Sequence, residues 1–142
     1  MYEYKVKVVH IVDGDTIDVD IDLGFKTVLT KRRIRLYGID TPESRTRNKE
    51  EKQRGLISKK YILLKCPIGE YIILKSHGVG KYGRILGELF EYNNIDSPRR
   101  SINQELCDEG YAVPYFGQSK EEIMKLHQAN KQILIKKGLL DA

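Results

Sequence analysis

Residues 17–22 read Ile-Asp-Val-Asp-Ile-Asp, and this alternation constrains the fold more tightly than anything else in the chain. A period of two puts Ile17, Val19 and Ile21 on one face of an extended strand and Asp18, Asp20 and Asp22 on the other, whereas a helix would spread both sets around its circumference. The segment is therefore expected as a strand with one face in a core and the other in water. Upstream, Val6, Val8, Val9 and Ile11 form a second apolar run, and Asp13-Gly14 between the two is the expected hairpin turn. The adjacent Val8 and Val9 break the alternation, and a bulge there would curl the sheet.

A third strand is expected over residues 28–39, with Ile34 and Leu36 on one face and Arg33, Arg35 and Tyr37 on the other. Two more are expected over 71–75 and 84–92, joined by the glycine-rich run Gly78-Val79-Gly80-Lys81-Tyr82-Gly83, with Gly87 marking a bulge. Between the third strand and these two, Asn48 and Glu51 have the spacing of a capping box, and Leu56, Ile57, Ile62, Leu63 and Leu64 follow at helical intervals until Cys66-Pro67 ends the helix near Lys65. Ser101 with Gln104 and Ser119 with Glu122 repeat the cap before two further helices. The shorter carries Ile102 and Leu106 inward and stops at Gly110; the longer runs to about Lys137, with Ile123, Leu126, Ala129, Ile133 and Leu134 as its expected apolar side and Gly138 as its terminator. Five short strands with helices between and after them point to an α+β, mainly β fold: a five-stranded barrel of the OB type capped by three α-helices.

A chain of 142 residues can bury a core without disulfides or a structural metal, so one domain over residues 1–142 is expected, as a monomer. With 40% hydrophobic and 32% charged residues it is neither a disordered chain nor one with an apolar run able to span a bilayer. Met1-Tyr2-Glu3-Tyr4-Lys5 lacks the basic stretch and apolar run of an export signal, so a cytoplasmic location is the default, with secretion by another route compatible. Cys66 and Cys107 are far apart, without metal-ligand spacing, and read as buried reduced thiols. Lys plus Arg total 25 against 20 Asp plus Glu, a formal charge of +5. That excess, gathered in Lys31-Arg32-Arg33 with Arg35, in Arg45 and Arg47 and in Lys59-Lys60, favours a polyanionic partner and supports nucleic acid, and with no spanning apolar run no membrane partner is expected.

Three short motifs carry potential chemistry. Asp13-Gly14-Asp15-Thr16 is by itself an ordinary turn. Asp40-Thr41-Pro42-Glu43 holds two carboxylates in a stiffly defined relation, because proline fixes its own backbone angle and biases Thr41 toward an extended one. Lys81-Tyr82-Gly83-Arg84 places positive charge and an aromatic surface in a loop whose glycines let backbone approach a phosphate. His10, His77 and His127 share no spacing and are expected at the surface or in strands; Tyr61, Tyr71 and Tyr92 are expected as core or rim packing.

Taken in order, Asp13-Gly14-Asp15-Thr16, Arg35-Leu36 leading into Asp40-Thr41-Pro42-Glu43, and Tyr82-Gly83-Arg84, with Asn103, Leu106 and Gly110-Tyr111-Ala112 in support, resemble the staphylococcal nuclease (thermonuclease-like) family from about Tyr4 to Lys137. The resemblance implies an OB-type barrel with three helices and a calcium-dependent nuclease acting on DNA, RNA or both. It implies that Asp15, Asp40 and the backbone carbonyl of Thr41 hold one calcium ion, with another divalent metal as the alternative. Glu43 would position or deprotonate the attacking water, Arg35 and Arg84 would bind the scissile phosphate, and Lys81, Tyr82 and Tyr115 would contact the rest of the substrate. Gly80 stands where the family often carries an aspartate, and the chain lacks the tryptophan common after the last helix.

These roles suit the reaction. Phosphodiester hydrolysis loads negative charge onto the phosphoryl oxygens, and two arginines with a hard dication answer it. A non-catalytic nucleic-acid-binding module on the same barrel is the alternative, distinguished by loss of these side chains. A plain calcium-binding domain would leave Arg35 and Arg84 idle.

Overall fold

The computed structural model describes residues 2–92 and 100–141. Five strands close into a barrel: β1 (Glu3–Asp13), β2 (Thr16–Asp22), β3 (Val28–Leu36), β5 (Tyr71–Val79) and β6 (Ile85–Glu91), in the order β1-β2-β3-β6-β5 with β5 returning to β1. All these pairings are antiparallel except β3 with β6. A second, two-stranded sheet joins β4 (Ile39–Asp40) to β7 (Val113–Pro114). Among the described residues three helices complete the fold: α1 (Lys49–Lys65), α2 (Ile102–Asp108) and α3 (Lys120–Lys136).

The barrel follows from the patterning. Ile17, Val19 and Ile21 lie inside with Val6, Val8, Ile34, Leu36, Ile72, Leu74 and Leu89, all buried. The β1–β2 register slips between Val8 and His10, so Val9 is the bulged residue and the sheet curls there, as the adjacent valines predict. All three helix caps form: the side chains of Asn48, Ser101 and Ser119 accept the backbone N–H of Glu51, Gln104 and Glu122.

Four expectations are corrected. Asp13 pairs with Thr16, so the two-residue hairpin turn is Gly14-Asp15, not Asp13-Gly14. Gly14 is required instead for closeness: a Cβ there would lie 2.7 Å from the Ser58 Cβ on α1. The bulge expected at Gly87 sits on the partner strand at His77, where the β5–β6 register slips. Gly87 is a close approach, since a Cβ would collide with the Leu74 side chain. The strand expected over residues 28–39 breaks at Gly38, whose φ of 78° turns the chain so that Ile39-Asp40 pairs with β7 instead.

The fourth correction concerns the helices. On α3 the buried residues are His127 and Leu134, so the inward stripe is rotated away from Leu126, Ala129 and Ile133, which are exposed. On α1 the inward face is Arg54, Gly55, Ser58 and Ile62, and Leu56, Leu63 and Leu64 face out. Small residues bring this helix close to the barrel, and Ser58 hydrogen-bonds the Tyr111 carbonyl at 2.5 Å. No helix of the described residues is long and apolar enough to cross a membrane.

Candidate active site

The turn between β1 and β2 sets one wall of a cleft. The Asp15 carbonyl accepts the Leu36 N–H (2.8 Å), which locks the turn to the end of β3. The Asp15 carboxylate accepts the Thr41 N–H at 3.2 Å, tying the same turn to the Asp40-Thr41-Pro42-Glu43 segment. Arg35, projecting outward from β3, reaches both acids: Nη1 lies 3.4 Å from Asp15 Oδ2 and Nη2 3.5 Å from Asp40 Oδ1. Nη1 also donates to the Leu36 carbonyl at 3.0 Å, which fixes the plane of the guanidinium.

Arg35, Asp40, Thr41, Glu43 and Arg84 line one cleft of about 450 Å³, roofed by Lys120, Ile123, Met124 and His127 of α3. Arg35, Arg84 and Tyr115 also line a neighbouring cleft of about 630 Å³ with Lys81, Tyr82, Tyr37 and Phe116, so the two are continuous. All nine residues singled out from the sequence, Asp15, Arg35, Asp40, Thr41, Glu43, Lys81, Tyr82, Arg84 and Tyr115, thus meet along one surface. Residues 40 and 84 come together although β5, α1 and the glycine-rich loop separate them in sequence.

The loop carrying Lys81 and Tyr82 is closed by Gly80 donating to the Arg84 carbonyl (2.7 Å) and Gly83 donating to Gly80 (3.1 Å), with Gly83 at a φ of 74°. The Arg84 guanidinium stands 5.9 Å from the Tyr82 ring centroid. Unlike Arg35, Arg84 has no carboxylate partner among the described residues, so its donors are available to an incoming anion.

Glu43 sits on the acidic side. Partial burial, then the charges of Asp13, Asp15, Asp40 and Glu51, push its carboxyl above the usual carboxylate range. A raised carboxyl pKa makes the carboxylate a better proton acceptor. Among the described residues no three His, Cys, Asp or Glu side chains gather as metal ligands. Hard oxygens on this side include the Asp15 and Asp40 carboxylates and the Thr41 main chain, tied to Asp15 through its N–H; the Thr41 Oγ1 is buried without a hydrogen-bond partner among the described residues.

Among the lining residues that sequence did not point to, His127 hydrogen-bonds an expected one. His127 is 9% exposed, and its Nε2 lies 2.8 Å from Asp40 Oδ2. The signal available was a polar residue in a helical row with Ile123, Asn130 and Leu134, a row of mixed character that the apolar periodicity alone passes over. His77, expected at the surface or in a strand, is on β5, stacked on Tyr37 at 4.2 Å between ring centroids and bonded to Glu88. The thiols are free, Cys66 buried and Cys107 half-buried.

The model of the family described as staphylococcal nuclease homologue matches residues 33–139. A protein named ParB from Escherichia coli is 29% identical over 132 residues, spanning 89% of this chain and 67% of that protein. A micrococcal nuclease of Shigella flexneri is 28% identical over 134 residues, spanning 92% of this chain and 69% of that enzyme.

Proposed function

The chain belongs to the staphylococcal nuclease family, and from that premise we propose that it is a calcium-dependent nuclease that hydrolyses phosphodiester bonds of DNA or RNA. The observation that carries the reading is the convergence of Arg35, Glu43 and Arg84 on one cleft with Asp40, and of Asp15 on Arg35. The retained set argues against a binding module that has lost its chemistry.

Arg35 and Arg84 approach the cleft from two strands' ends and would grip the non-bridging oxygens of the scissile phosphate, where charge grows in the transition state. Glu43 would hold a water for in-line attack and take its proton, a role its raised pKa suits. Lys81 would neutralise a neighbouring phosphate, while Tyr82 and Tyr115, both exposed, would offer faces to sugar or base. For calcium, the donor chemistry fits: Asp15, Asp40 and the Thr41 carbonyl are hard oxygens, and the Thr41 N–H already ties that segment to the Asp15 carboxylate. Bound there, the ion would offset negative charge on the phosphate and polarise it.

The test is incubation of the purified protein with single-stranded DNA, duplex DNA and RNA in calcium, in magnesium and in chelator. Calcium-dependent cleavage is expected, and Arg35→Ala or Arg84→Ala should lower it by about 10² or more, the loss typical of one transition-state donor. Wild-type rates in either variant would refute the roles. Binding without cleavage in any metal would make the chain a binding module.

A further inference from the structure

Asp40 stands in a strand of two residues, and its side chain is 31% exposed, so the strand alone leaves the carboxylate free to turn. What holds it comes from 87 residues away. His127, buried on the inward face of α3, places Nε2 at 2.8 Å from Asp40 Oδ2. A carboxylate can only accept, so Nε2 is the donor. The other ring nitrogen, Nδ1, is buried with no partner among the described residues. Among the described residues the ring is therefore not shared with a second polar group, and its hydrogen bond is to Asp40.

With Oδ2 taken, the remaining oxygen is directed. Oδ1 faces Arg35, 3.5 Å from Nη2, the same guanidinium that meets Asp15. The helix is anchored on the next turns, where Asn130 donates to the Ala112 carbonyl at 2.9 Å and Leu134 is 1% exposed, so the ring cannot drift without undocking α3.

We infer that His127 is a positioning residue for Asp40: it holds one carboxylate oxygen from α3 so that the other faces the Asp15 side of the cleft. The alternative is a contact that merely docks α3. Partners that orient a ligating carboxylate typically change metal affinity by about 10- to 100-fold when removed. That consequence rests on the proposed calcium site; the orientation of the carboxylate itself does not.

The test uses the full chain and three variants: His127→Gln, whose amide nitrogen reaches about as far as Nε2; His127→Asn, whose nitrogen reaches only as far as the idle Nδ1; and His127→Leu, which keeps apolar bulk. Two measurements are made, calorimetric titration with calcium and nitrogen-15 NMR of the histidine ring in metal-free protein. The ring should carry its proton on Nε2, and Asp40→Ala should release that proton to rapid solvent exchange. Calcium affinity should fall about tenfold or more in the Leu and Asn variants and stay within about threefold of wild type in the Gln variant. Wild-type affinity in the Leu variant, or equal weakening by Gln and Asn, would reduce His127 to a docking contact, and a ring protonated on Nδ1 would overturn the inference outright. If the wild-type protein takes up no calcium, the calcium reading fails by itself, and the ring proton and its response to Asp40→Ala still decide whether His127 orients Asp40.

Discussion

Gly55 of α1 lies against the main chain of Glu43: a Cβ at residue 55 would fall 2.5 Å from the Glu43 carbonyl carbon and oxygen. The helix thus presses, through its smallest residue, on the backbone that carries a side chain of the cleft. In an exposed helix, replacing Gly by Ala stabilises by about 1 kcal/mol. Here Gly55→Ala is expected to destabilise by about 1–3 kcal/mol, because the obstacle is main chain and cannot swing aside. Urea denaturation measures it, and the displaced Glu43 should also lower cleavage. A variant more stable than wild type would show that the segment yields freely.

Partial burial, then the charges of Asp13, Asp15, Asp40 and Glu51, raise the pKa of Glu43. A carboxyl whose folded pKa exceeds its unfolded value adds stability at low pH and loses it as pH rises through the folded value. Metal-free wild type should therefore weaken relative to Glu43→Gln as pH rises from the carboxylate range to neutrality. Because Glu43 is only partly buried and much of it faces solvent, the gain in the variant is small, about 0.5 kcal/mol. Thermal midpoints in chelator between pH 4 and about 7 are the measurement; no pH-dependent gap would show that neither burial nor the acidic neighbours raise the Glu43 pKa. Cleavage should drop in the same variant while substrate binding stays nearly intact.

Asn103 uses its side chain as a three-way tie. Oδ1 accepts the Leu89 N–H at 3.1 Å, and Nδ2 donates to the carbonyls of Tyr37 (2.9 Å) and Gly87 (3.1 Å). Asn103→Asp replaces the donor with an oxygen facing two carbonyls in a buried place, so a loss of about 3 kcal/mol or more is expected. Asn103→Ala should cost about 1–3 kcal/mol. If chemical denaturation ranks Asp as the milder change, the amide orientation is the reverse of that described.

Burial pushes the Cys66 thiol up to about 12, and the nearby Glu91 and Glu105 add to it. Burial also raises Cys107, to about 11. Above pH 9 or so the unfolded chain's thiols ionise while the native ones keep their protons, so the native state binds more protons and its stability falls as pH climbs toward those values. Thermal midpoints from pH 8 upward should decline less steeply in Cys66→Ala, after allowing for its lower starting point from the lost packing. At neutral pH iodoacetamide should label Cys66 only once urea unfolds the chain; native labelling at the unfolded rate would show that the core opens.

What the sequence determined by itself is local in origin. The alternation of Ile17, Val19 and Ile21 requires only neighbours two apart, the adjacent valines locate the bulge, and each cap needs a side chain and an N–H three residues on. From these the strands, helices and barrel were legible, and the ordered motifs named the residues of the cleft. What tertiary structure alone decided depends on surfaces meeting across long separations. Gly14 is a turn residue and Gly87 looks like a bulge, but why each must be glycine shows only when Ser58 and Leu74 are seen against them. The inward face of α3 could not be read from apolar spacing, because the residues buried there are chosen by what they meet: His127 finds the Asp40 carboxylate, a partner 87 residues away that no local pattern records. A polar side chain is stable in such a place only when a matching group is already there, and that match exists only after the chain has folded.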